Sequence, residues 1–132
     1  MDNTYRIENT YKRGSICWLN DPTSYDDSYV LHGKRPVVVV SSDAVNPYSG
    51  TVIVVPLTTK TDKRLYMGQF DIILNGIRSR VRCDQIRVAD KSYLDPPHAK
   101  LGDAAMMKLT ENLAILLGAC EEESGVAVLA ED

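Results

Sequence analysis

The sequence predicts a mainly β protein, a small barrel of five to seven short, mostly antiparallel strands followed by one C-terminal helix. Two runs of β-branched apolar residues carry most of that prediction. Residues 37–40 (Val-Val-Val-Val) and 51–58 (Thr-Val-Ile-Val-Val-Pro-Leu-Thr) are each too short for a helix. A turn through Asp43, Asn46, Pro47, Ser49 and Gly50 separates them. They read as two buried neighbouring strands. The second observation is a pair of alternating stretches on either side of Asn75-Gly76, a hairpin signal. The third is a helical period of apolar residues from Asp103 to about Leu117. At this length, a sheet closed on itself best hides its edges.

Each element has its own signal. Residues 1–12 are polar, with Tyr5 and Tyr11 as the sizeable apolar anchors, and read as an arm. The domain is expected over residues 13–118, and residues 119–132 form an acidic tail in which residues 126–129 could add an edge strand. Residues 14–19 alternate weakly and form the first expected strand, closed by the turn Asn20-Asp21-Pro22-Thr23. Residues 24–32 are acidic and tyrosine-rich without a period, which reads as a surface loop. The central strand pair follows, then a polar, basic loop over residues 58–64. In residues 69–74, Phe70, Ile72 and Leu74 share one face. Beyond the Asn75-Gly76 turn, Arg78, Arg80, Arg82 and Asp84 alternate with Ser79, Val81 and Cys83. The apolar phase flips at residues 85–88, predicting a bulge or the strand's end. Residues 90–97 contain a Pro-Pro pair and read as irregular, and a short last strand is expected over residues 98–101. Asp103 is the candidate N-cap of the helix, and Gly118 its stop. Ala105, Met106, Leu109, Leu113, Leu116 and Leu117 supply its packing face.

Composition narrows the function. No run approaches the roughly 18 apolar residues of a membrane span, and residues 1–6 carry no apolar signal core, so a cytoplasmic location is expected. Cys17, Cys83 and Cys120 are widely spaced with no CxxC, which indicates neither a disulfide framework nor a metal site. The net charge of −3 is unevenly spread: residues 34–91 hold ten basic and five acidic side chains, while the rest of the chain is acidic. A basic centre inside an acidic whole suits local binding of a few phosphates better than wrapping a duplex.

Arg35 stands at the entry to the first apolar run and Thr58 at the exit of the second. If the two strands run antiparallel, these residues meet at one edge of the sheet. A guanidinium and a hydroxyl held there suit gripping a phosphate.

Five segments in order then carry a family resemblance. They are Arg13-Gly14-Ser15-Ile16, the run Gly33-Lys34-Arg35-Pro36-Val37-Val38-Val39, residues 51–58, the motif Cys83-Asp84-Gln85-Ile86-Arg87-Val88-Ala89-Asp90-Lys91, and Leu101-Gly102-Asp103. Over about residues 12–118 the chain resembles the MazF/PemK toxins. The resemblance implies an SH3-like barrel that forms a homodimer and cleaves single-stranded RNA, usually messenger RNA, at short sequences, with no metal ion or other cofactor. It implies a cognate antitoxin, with which such toxins also bind DNA. It puts the catalytic arginine at Arg35 and the catalytic threonine at Thr58, and among the remaining motif positions Lys34, Asp84 and Gln85 are candidate RNA contacts. Two departures stand out: the loop before the arginine commonly carries Glu-Gln where this chain has Val30-Leu31, and the aspartate of Arg-Gly-Asp is Ser15.

RNA supplies its own nucleophile, the 2′-hydroxyl, so such a nuclease must remove that proton, neutralise the phosphorane and protonate the leaving 5′-oxygen. Arg35 suits the second task and Thr58 adds a hydrogen bond to the same oxygens. Arginine is a poor base at neutral pH, so His32 is the candidate for proton transfer. Lys60, Lys63 and Arg64 are expected to track the RNA backbone, and Tyr25 and Tyr29 to offer faces for unstacked bases. Arg87 and Asp90 are expected to form an ion pair at a strand end. Two other readings compete: a gyrase-poisoning binding protein of the CcdB type, whose C-terminal apolar pattern residues 128–132 do not match, and a non-catalytic relative that binds RNA or antitoxin only.

Overall fold

The computed structural model describes residues 11–22 and 34–120. In chain order the elements are β1 (Ser15–Asn20), β2 (Lys34–Val39), β3 (Thr51–Thr58), β4 (Gln69–Leu74), β5 (Ile77–Arg82), β6 (Arg87–Asp90), β7 (Ala99–Lys100) and α1 (Asp103–Leu116). Short 3-10 turns occupy Asn46–Tyr48, Cys83–Gln85 and Lys91–Tyr93. The strands form one curled antiparallel sheet in the order β4-β5-β3-β2-β1-β7, with β6 also on β3. The architecture is the expected one, mainly β with a C-terminal helix.

β3 is the organising strand because it changes partner along its length. Residues 51–54 pair with β6, while Leu57 and Thr58 pair with β5. Val55 and Pro56 have no register partner on that side. Pro56 has no N–H to offer a ladder, so its position coincides with the switch. The 3-10 turn Cys83–Gln85 joins β5 to β6 across the same gap, and it is the physical form of the phase flip expected near residues 85–88.

The apolar runs are continuous because the central strands are covered on both faces. Val37 and Val39 join Cys17, Leu19, Val52 and Val54 in one core, closed by Ala89 and Leu94. Val38 and Val40 join Ile16, Val55, Leu57, Phe70 and Val81 in the other, closed by Leu109 of α1. Truncating a fully buried leucine such as Leu109 to alanine costs about 2–5 kcal/mol.

The hairpin turn is as expected: Asn75 and Gly76 both have positive φ, 52° and 80°, the two-residue turn that matches strand twist. The helix differs in detail. Its N-cap is Gly102, with Asp103 in the first turn, where a carboxylate still complements the helix dipole. Gly118, at φ 78°, donates its N–H to Ile115 and ends the helix. Leu109 is buried and Ala105, Met106 and Leu113 partly so, whereas Leu116 and Leu117 are exposed and lie outside the core. Arg13 ties α1 to the sheet, donating to the Val40 carbonyl and to Thr110 Oγ1. No helix among the described residues is long and apolar enough to cross a membrane. The loop at residues 24–32, residues 1–10 of the arm and residues 121–132 of the tail, with the edge strand at 126–129, lie outside the described residues.

Candidate active site

The register of β2 on β3 puts the two leading residues at one end of the strand pair. Val37 faces Pro56, Val38 faces Val55 and Val39 faces Val54. Continued by two residues beyond Val37 and Pro56, that register runs to Arg35 on β2 and Thr58 on β3, at the same end of the strand pair. On the outer flanks Arg35 pairs with Leu19 of β1 and Thr58 with Arg80 of β5, which pairs with Asp71 of β4. One row across five strands therefore reads Leu19, Arg35, Thr58, Arg80, Asp71. It lies just beyond the last apolar row, Val37 with Pro56. The face that carries Val37, Val39, Val52 and Val54 turns polar where their core ends.

Thr58 is 6% exposed, and its Oγ1 accepts a hydrogen bond from the Lys60 N–H at 3.2 Å. That bond occupies a lone pair and leaves the hydroxyl proton available to donate. Arg80, 5% exposed, is held by Asp71 through Nε to Oδ1 at 2.7 Å and Nη2 to Oδ2 at 3.1 Å. Its Nη2 also donates to the Thr61 carbonyl at 3.2 Å. Hydrogen bonding to Arg80 holds the Asp71 carboxyl below the usual carboxylate range, and the same bonds raise the guanidinium's pKa. Arg78 reaches Asp71 from solvent at 3.0 Å. Arg82 forms two bonds with Asp84, at 2.9 and 2.8 Å, and Gln69 donates to the same carboxylate.

The other candidates distribute around this row. Lys34 is exposed, 3.5 Å from Asp95 and 5.9 Å from the Trp18 ring, which stacks on His98. Lys60, Lys63 and Arg64 project from the loop that follows Thr58, all exposed, with Arg64 over the Tyr66 ring at 5.0 Å. Gln85 ends the 3-10 turn that fills the gap beside β3. His32, Tyr25 and Tyr29 lie outside the described residues.

One expectation is corrected. Arg87 pairs with Asp21, at the end of β1, and not with Asp90. Asp90 instead caps the turn Lys91–Tyr93, accepting from the Ser92 N–H and hydroxyl at 2.9 and 2.7 Å. Both are local demands: a carboxylate at a turn's entry satisfies the donors of the residue two positions on, and β6 carries Arg87 toward the β1 end. The sequence reading does not pick out the Arg80–Asp71 pair, although a signal is present. With Asn75-Gly76 as a two-residue turn, Leu74 faces Ile77, and counting back puts Asp71 opposite Arg80.

Burial pushes the Cys17 thiol up to about 11 and the Cys83 thiol up to about 12, while Cys120 is exposed. The two buried thiols are packing groups.

The chain is 32% identical over 90 residues to the endoribonuclease MazF of Staphylococcus saprophyticus, covering 65% of this chain and 75% of that one. Among solved structures it resembles MazF of Deinococcus radiodurans, with a TM-score of 0.67, 24% identity and coverage of 81% and 96% of the two chains. It also resembles a mycobacterial endoribonuclease solved with its cognate antitoxin, with a TM-score of 0.68, 23% identity and coverage of 84% and 98%. At these identities the structures speak for the fold. The model of the PemK-like, MazF-like toxins of type II toxin–antitoxin systems matches residues 12–117, and the chain belongs to that family.

Proposed function

We propose that this chain is a toxin endoribonuclease that cleaves single-stranded RNA, messenger RNA in the first place, without a metal ion, at the Arg35–Thr58 edge of the sheet. The observation that supports the reading is the antiparallel β2–β3 register, whose continuation past Val37 and Pro56 puts Arg35 and the buried Thr58 at the same edge of the sheet. The relative named as an endoribonuclease supports the activity.

The chemistry follows from the groups. The RNA 2′-oxygen attacks the adjacent phosphorus, its proton passes to a base, the P–O5′ bond breaks and the 5′-oxygen takes up a proton. The first product is a 2′,3′-cyclic phosphate. Arg35 neutralises the non-bridging oxygens as their charge grows, and a single such donor is worth about 10²–10³ in rate. Thr58, its lone pair engaged by Lys60, donates its hydroxyl proton to the same oxygens. His32 is the proton-transfer residue of this reading, three positions before Arg35 in the chain. Lys60, Lys63 and Arg64 lead the RNA backbone toward Thr58, and Lys34 and Gln85 flank it. Lys34's exposed pairing with Asp95 is weak enough to be exchanged for a phosphate. Asp84, with Arg82 and Gln69 bound to it, offers an acceptor edge to a base, while Tyr25 and Tyr29 supply stacking faces. The protein works as a homodimer in the cytoplasm, restrained by an antitoxin whose acidic segment occupies the same basic edge. A structure of a mycobacterial relative with its antitoxin supports that partner class.

The test is incubation of the protein with a long unstructured RNA in EDTA, beside Arg35→Ala and Thr58→Ala, followed by sequencing of fragment ends. Cuts at one short motif, lost in both variants, are the expected outcome. A folded wild-type protein that cuts none of several unrelated RNAs sinks the reading and favours a binding-only role.

A further inference from the structure

The Arg80–Asp71 pair is a cost without an evident structural return. A buried ion pair in a small sheet is no more stabilising than well-packed apolar residues of similar volume. Its position suggests another reason. Arg80 is the register partner of Thr58 on β5, and its guanidinium extends past the end of β3 to the Thr61 carbonyl. The segment it grips is the one whose Lys60 N–H binds Thr58 Oγ1. Asp71 fixes the guanidinium from the far side with two bonds, so the fork cannot rotate. A continuous chain of hydrogen bonds therefore runs from Asp71 through Arg80 to the Thr61 carbonyl, and the backbone carries it on to Lys60 and the Thr58 hydroxyl.

We propose that Arg80, braced by Asp71, is a positioning residue that sets the orientation of the Thr58 hydroxyl by pinning the turn formed by residues 58–61. This rests on the reading of Thr58 as an active-site group. Arg80 itself touches no substrate. Its bonds decide where Lys60 N–H points, and hence which way the Thr58 hydroxyl is left to donate. Arg78, largely exposed and sharing Asp71, adds positive charge at the outer end without entering the turn.

The test replaces the whole pair by Arg80→Met with Asp71→Leu, which leaves no buried charge behind and is expected to fold with a melting temperature near that of the wild type. Two readouts are taken: steady-state cleavage of a defined oligoribonucleotide, and hydrogen exchange at the Lys60 amide. The expected result is faster Lys60 exchange and a fall in kcat of about a hundredfold with little change in KM, the scale of misplacing a catalytic group by about 1 Å. In a Thr58→Val background the pair's replacement is expected to cost no further activity. Arg80→Lys, which keeps the charge and one bond, is expected to fall between. Unchanged kcat, or an equal loss in the Thr58→Val background, overturns the proposal. Should the wild-type protein cleave no RNA, the failure lies with the functional reading, and the Lys60 amide still decides the brace: unaltered exchange in the double variant overturns it, and faster exchange upholds it.

Discussion

The arginines of β5 and the cations of the loop at residues 60–64 belong to the same basic stretch of sequence, yet they meet opposite fates. Arg78 and Arg80 share Asp71, and Arg82 takes Asp84. Elsewhere Arg87 is matched by Asp21, and Lys91 donates to the Asn46 carbonyl at 2.5 Å. Lys60, Lys63 and Arg64 form no ion pair among the described residues. The excess of ten basic over five acidic residues therefore overstates the surface available to a polyanion. Charge on β5 holds shape, and charge on the loop is presented to solvent next to Thr58. A charge count along a chain does not separate the two, whereas the hairpin register does.

That contrast is broken most severely from the β5 side. Asp71→Leu alone leaves the Arg80 guanidinium buried without its partner, and a loss of about 3–5 kcal/mol is expected, read from urea unfolding with the slope unchanged. Removing the loop cations is expected to act on binding alone. Lys60→Ser, Lys63→Ser and Arg64→Ser together should leave the urea midpoint where it is and flatten the salt dependence of single-stranded RNA binding, by about 0.7 in log–log slope for each phosphate no longer neutralised. A shifted midpoint with an unchanged salt slope would exchange the roles assigned to the two regions. The smallest effect is at acid pH. Bonding to Arg80 lowers the folded-state pKa of Asp71, so its contribution is complete above the ordinary carboxylate value near 4 and is lost as pH falls through the lower folded value. Asp71→Asn should flatten the stability curve in that acid window, and an acid limb as steep as the wild type's would leave Asp71 without a role there.

Much of this is legible in the residues. The run Val37-Val38-Val39-Val40 announces a strand buried on both faces, and Asn75-Gly76 fixes a hairpin and its register. Arg35 and Thr58 can be matched because each ends an apolar run, and antiparallel pairing then brings the ends together. The partner switch of β3 is not legible, since a strand's change of neighbour is a tertiary event that Pro56 permits without dictating. Nor is the burial of Arg80: Arg78-Ser79-Arg80-Val81-Arg82 alternates like a solvated strand face, and only a carboxylate across the hairpin makes the middle arginine an interior residue. The expectation for Arg87 fails for the same reason, because its partner Asp21 lies 66 positions away in the chain.

Everything proposed for the site depends on Arg35 and Thr58 acting on one phosphate as a unit. A double-mutant cycle of Arg35→Met and Thr58→Val, read by single-turnover cleavage of a defined oligoribonucleotide, decides it. The expected loss is about 10²–10³ for Arg35→Met, with a double variant scarcely slower than that single one. Fully additive losses, or a wild-type rate in either single variant, would mean that the two side chains do not share a phosphate.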